Sequence, residues 1–249
     1  MVKPFLLPIL LCVCCYVSVS QANQVSAQAV IGEAYDIKSK RLVYTEEHHF
    51  MEGDEHSVIY REPDGTVFAK KKIDYSRGVF TPSIKQHNQR MGEVIEINLS
   101  AAGYLQAQYQ KSEHSQVEKA LVSLSDIEVI DAGFNRFVKH HWDALQAGEI
   151  VFFEYFVPSR LKAITLQAES LPCAEKTSVC IEIKPKKWLF SLLLKPILLQ
   201  YSGQNKALEI FEGRSNIADS SGEYHRVKIE YRPVGEVQAS STYSAINGS

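Results

Sequence analysis

Short runs in which apolar and polar residues alternate follow one another along most of this chain, and no other feature constrains its fold as much. A period of two places successive side chains on opposite faces of an extended strand, so each run offers one face to a core and one to solvent. "GEAYDIKS" and "RLVYTEEHHF" alternate on either side of a short polar turn. "EHSVIYRE" and "TVFAKKKIDY" flank Pro-Asp-Gly, in which proline sets one torsion and glycine supplies a positive one. After the less regular "SRGVFTPSIKQHNQRMG" come "EVIEINLS", "YLQAQYQKS" and "KALVSLSD", and past the middle six more such runs end at "YHRVKIEYRP". The count is about thirteen strands at the spacing of antiparallel sandwiches and barrels. There is no glycine-rich phosphate loop, no regular strand–helix alternation and no fixed-period repeat.

One segment breaks the pattern. In "DAGFNRFVKHHWDALQAG" the residues Phe134, Phe137, Val138, His141, Trp142 and Leu145 form a single helical stripe, with Asp131 as N-cap and Gly148 just past the end. A lone amphipathic helix in an all-strand chain must bury its stripe against a sheet face. The expected fold is therefore all-β dominated: a strongly curved antiparallel sheet, an open barrel or half-barrel, with one helix packed in or over its concave side. A second unusual stretch, "KPKKWLFSLLLKPILLQY", is apolar from Trp188 to Leu194 and bounded by lysines, too short to span a bilayer. Residues 186–199 read as an interfacial segment in peripheral contact with a membrane, or as a short helix or buried strand ended by Pro196. Phe134, Phe137, Trp142, Trp188 and Phe190 are the candidate residues for binding an apolar ligand such as a lipid or acyl chain.

The first residues, "MVKPFLLPILLCVCCYVSVSQANQVSA", have the order of a secretory leader: a positive charge at Lys3, an apolar run from Phe5 to Val19, then small residues. Cleavage after Ala22 gives a signal peptide of residues 1–22, and cleavage after Ala27 is the alternative. The residues before Cys12, Cys14 and Cys15 do not fit a lipid-attachment motif. The expected organisation is the leader, one β-rich domain over residues 28–233, and a small, polar, disordered tail over 234–249. Export to the periplasm or the medium makes the two remaining cysteines, Cys173 and Cys180, a disulfide that ties off a hairpin.

Charge is nearly balanced, with 27 Lys plus Arg against 29 Asp plus Glu, and no basic block carries interleaved aromatics, so nucleic acid is not an expected partner. "YTEEHHFMEGDEH" holds three of the eight histidines and five carboxylates. Alternation puts Tyr44, Glu46 and His48 on one strand face and Thr45, Glu47 and His49 on the other, and His56 can join the first set across the turn if the strands pair in the right register. Glu46, His48 and His56 are thus a possible metal site, against the alternative of a polar strand face leading into an acidic turn; their spacing matches no recognised metal motif. No Gly-x-Ser-x-Gly elbow is present. These features favour an exported noncatalytic binding or carrier protein of the cell envelope without a cofactor. The alternatives are an exported hydrolase using the Glu/His site or a carboxylate pair, and an envelope scaffold with no small ligand.

Overall fold

The computed structural model describes residues 29–51, 53–186 and 195–234. The expected leader, the residues of the expected tail beyond 234, and Trp188 and Phe190 lie outside the described residues.

The elements in chain order are β1 (Ala29–Asp36), β2 (Leu42–Phe50), β3 (Glu55–Arg61), β4 (Val67–Asp74), β5 (Ser83–Asn88), β6 (Glu93–Leu99), β7 (Tyr104–Gln110), β8 (Glu118–Ser123), β9 (Val129–Ile130), α1 (Gly133–His140), α2 (Trp142–Gln146), β10 (Val151–Val157), β11 (Lys162–Leu171), β12 (Ser178–Pro185), β13 (Ile197–Ser202), β14 (Leu208–Arg214) and β15 (Arg226–Pro233). All thirteen alternating runs are strands. The two further strands are β5, inside the stretch read as irregular, and β9, of only two residues. Pro185 closes β12 and Pro233 closes β15, at strand ends where a missing N–H is tolerated.

The strands form one sheet in the order β8-β7-β6-β5-β4-β3-β2-β1-β15-β14-β13-β12-β11-β10-β9. Each pairs antiparallel with its neighbour except β9, which runs parallel to β10. Sequence neighbours are spatial neighbours at every step but one: the chain leaves β8 at one edge and enters β9 at the other. Residues 124–128 make that step, a reach of about 20 Å at most. Fifteen flat strands at about 4.8 Å spacing would hold their edges about 67 Å apart, so the sheet has to roll.

It rolls past closure. Ile84, Ile97, Leu105 and Ala107 on the inner face of β5 to β7 share a buried cluster with Ile127, Ile130 and Phe156 of the opposite end. On β10, Phe153 faces the helices while Phe156 belongs to this other cluster, so the β9–β10 end is tucked inside the curl of β5 to β7. The result is an open spiral, its inner edge at β9 covered and its outer edge at β8 not.

The helical stripe is where periodicity placed it. Phe137, Val138, Trp142 and Leu145 are buried with Phe153, Leu166, Ile181, Ile183 and Leu199 on the concave side of β10 to β13. Gly148, at φ +83°, ends the segment as expected. Two details differ. The helix breaks at His141 (φ −92°, ψ 18°), and its N-cap is Ala132, without a side-chain cap, rather than Asp131. Asp131 adopts φ +38° and turns its carboxylate to Lys71 instead, where a buried ammonium needs it more than exposed helix amides do.

The Cys173–Cys180 disulfide is present, with Cα atoms 5.4 Å apart, and ties the turn between β11 and β12. The segment 215–225 between β14 and β15 is not the solvated loop its composition implies. Ser215, Ile217 and Ala218 are buried on the concave side of the first half of the sheet. There Asn88 donates to Ala218 O at 2.8 Å, and Tyr44 and Ser215 share a 3.1 Å hydrogen bond.

Candidate functional site

Two plugs therefore fill the spiral, and they cover chemically different interiors. Under α1 and α2 the concave face is apolar. Phe137 lies 4.7 Å from Phe153 by ring centroid, Phe134 lies 5.8 Å from Phe153, and Trp142 meets Tyr201 edge-on at 5.7 Å. Three of the five residues expected to touch an apolar ligand, Phe134, Phe137 and Trp142, thus sit together over one trough. Among the described residues, no backbone–backbone hydrogen bond joins 133–146 to a strand. The polar ties include Ser170 Oγ to Leu145 O at 2.6 Å, Tyr75 OH to Ala132 O at 3.2 Å and the ion pair of Arg136 with Asp54 at 3.6 Å. The plug is held by side-chain packing and by its two ends.

Within that trough Tyr201 is fully buried, and its hydroxyl has no hydrogen-bond partner. Burial pushes its ionisation far above the ordinary range. A buried unpaired hydroxyl costs about 1–3 kcal/mol, which a phenylalanine would avoid. Alternation marks Tyr201 as inward-facing, but no sequence signal shows that its oxygen is unpaired.

The other half of the interior is mixed: Glu46, His56, Lys71, Gln86, Asn88 and Glu93 are buried there among apolar side chains such as Val58, Tyr60, Phe68 and Ile84. Lys71 Nζ reaches Asp131 Oδ2 at 2.6 Å, and Asn216 donates to Asp131 Oδ1 at 3.3 Å, so one carboxylate joins β4, the start of the helical plug and the loop plug. Glu93, held by Tyr224 and Tyr109, has its carboxyl pKa raised by burial. Glu96, its partner in a conceivable carboxylate pair, faces the other way on the same strand.

At one end of this mixed half lie Glu46, His48 and His56. Glu46 pairs with Tyr60, His48 with Val58 and Phe50 with His56 in register, so the two histidines are diagonal neighbours on the inner face. His48 Nδ1 is 3.1 Å from His56 Nε2, and His48 Nε2 is 3.1 Å from Glu46 Oε1. Tyr231, on β15, donates to the same Glu46 oxygen at 2.7 Å. The three expected residues come together, yet in a line rather than around a point. Among the described residues no group of three or more His, Cys, Asp or Glu is arranged to hold a metal ion.

With His48 in its neutral form the chain of bonds fixes the tautomers: Glu46 Oε1 accepts from Tyr231 and from His48 Nε2–H, and the bare Nδ1 of His48 accepts from His56 Nε2–H. His56 Nδ1 is then a lone pair, buried and without a partner. Burial and the neighbouring His48 hold the His56 pKa down at about 3, so the ring is neutral. Phe50 stacks on it with centroids 4.4 Å apart. Sequence reasoning missed Tyr231, because the register that brings the last strand to the first is not written in either one.

Clefts open on the surface of the described residues. One, of about 520 Å³, lies across the ends of β3 to β6 and is lined by Glu55, His56, Lys72, Asp74, Arg77 and Ser83 among others. Another, of about 360 Å³, lies along β7 and β8. Neither is lined by Phe134, Phe137 or Trp142. Lys186 stands over the exposed ring of Phe152 at 4.6 Å, and Pro196 O accepts from Arg226 at 3.1 Å; most of the expected membrane-contacting segment between them is outside the described residues.

No family model matches this chain, and no curated protein matches it. Among solved structures it is similar to the crystal structure of a beta-barrel-like protein of the domain of unknown function DUF1849 from Brucella abortus. The TM-score is 0.46 and the identity 8%, over 83% of this chain and 97% of that one.

Proposed function

We propose that the protein is an exported, noncatalytic binding protein that carries an apolar ligand with one polar group, such as a lipid or an acyl chain, beneath α1 and α2. The observation that carries this reading is the orphan hydroxyl of Tyr201 in an otherwise apolar trough. A ligand whose tail replaces the side chains of the plug, and whose polar group bonds Tyr201, satisfies both the trough and the phenol. The plug suits such exchange, since lifting it breaks no strand pairing. Export is supported by the disulfide and by the leader-like order of residues 1–22. Among the described residues, no helix is long and apolar enough to cross a membrane.

Native mass spectrometry of the mature protein before and after organic extraction tests the reading: an extractable adduct of lipid mass is expected. A fluorescent fatty-acid probe should bind the extracted protein, and about 5- to 10-fold more weakly after Tyr201→Phe, the loss of one hydrogen bond to a buried group. Absence of both adduct and probe binding would end the proposal.

A further inference from the structure

We propose, independently of any ligand beneath the helices, that His48 and His56 bind a first-row transition-metal dication such as Zn²⁺. His48 Nδ1 and His56 Nε2 are the ligands, and Glu46 orients His48 from behind. The separation of those two nitrogens, 3.1 Å, is close to the distance of about 3.3 Å between two imidazole nitrogens on one tetrahedral zinc. The two nitrogens face one another along a hydrogen bond, so an ion in place of the shared proton requires each ring to turn by about 35°, until both lone pairs meet at one tetrahedral centre.

What surrounds the pair is what a metal-bound imidazole needs. A ligating histidine gives its other N–H to a carboxylate, which fixes tautomer and ring orientation. His48 does this with Glu46, whose oxygen is held in turn by Tyr231. Phe50, stacked on His56, fixes the second ring. Room for the carboxylate exists because Gly32, its cross-strand partner, carries no side chain.

The charge balance permits a cation. Lys71 and Arg136, whose charges act on His56, are each matched by a carboxylate, Asp131 and Asp54. On binding, the His56 proton moves from Nε2 to Nδ1, the nitrogen that has no partner in the metal-free protein, so the ring stays neutral and no proton is lost. With two protein ligands, the remaining coordination positions fall to water, which enters past the His48 side chain, 18% exposed.

The test is titration of the full-length mature protein, freed of metal by chelator, with Zn²⁺ by calorimetry and with Co²⁺ by its visible absorption. One saturable equivalent is expected. It should be lost in His48→Ala and in His56→Ala, weakened about 10- to 100-fold in Glu46→Gln, and retained in His140→Ala/His141→Ala. Zn²⁺ should also protect His48 of the native chain from carbethoxylation, read by peptide mass mapping, a measurement that needs no variant to fold. No saturable binding, binding that survives both His48→Ala and His56→Ala, or absence of protection would each overturn the assignment. Undiminished affinity in Glu46→Gln would remove Glu46 from it.

Discussion

A Cβ on Gly32 would lie 2.8 Å from Tyr231 Cε1, 2.9 Å from Glu46 Cγ and 2.9 Å from Ile229 Cγ2. All three belong to packed or hydrogen-bonded side chains, so Gly32→Ala should cost about 1–3 kcal/mol of overpacking, read as a lower thermal midpoint. Glu93 provides a pH-dependent counterpart. Its carboxyl is more easily protonated folded than unfolded, because burial raises its pKa above 4.5. Such a group stabilises below the unfolded pKa, and that contribution is lost as pH rises through the folded one. Glu93→Gln, which keeps an oxygen for Tyr224 and Tyr109, should therefore lose less stability than the native chain between pH 4 and 7 in parallel urea melts. At this scale the sequence shows half of the site. Alternation alone sets Glu46 and His48 on one face apart from Glu47 and His49, as observed. It cannot supply Tyr231 or Lys71, because nothing in one strand states which strand it will meet.

The helical plug is the element with the clearest energetic signature. Leu145 is 1% exposed, and Leu145→Ala should cost about 2–5 kcal/mol in transfer and cavity terms, measurable by urea denaturation. The plug is fastened at its start by the ion pair of Lys71, whose side chain is 2% exposed, with Asp131. Removing one partner strands the other charge, so Lys71→Met should cost about 3–5 kcal/mol, and adding Asp131→Asn should restore part of it. The elements were legible where side-chain period decides, in thirteen strands and one stripe. They were obscure where tertiary demand overrides local preference: β5 carries buried Gln86 and Asn88, which blur its alternation, and Asp131 leaves the cap position for a buried lysine. The loop 215–225 reads as solvent-facing from composition, yet fills a polar hollow that its own backbone carbonyls satisfy.

The spiral makes the two ends of the sheet unequal. β9 is covered by β5 to β7, while β8 has one neighbour and exposes Leu121 at 65%. In hydrogen-exchange mass spectrometry the amides of β8 should exchange first among the strands and those of β1 and β15 last. A curved antiparallel sheet around a helix was readable from pattern, but the inward tuck was not, since Phe156 and Phe153 look alike until both sides of β10 are seen to be buried.

The pairing of Val30 with Pro233 and of Ala34 with Ile229 gives this architecture a timetable. One edge of its first strand is taken by β2, but the other is met only by the last strand, so a chain still being made, or cut before Arg226, is two separate ribbons with four open borders instead of one with two. Contacts this distant in sequence form slowly, and unsatisfied borders invite association with other chains. The hazard for this molecule therefore lies in the interval before completion, and a cell that makes it has reason to keep that interval short or attended.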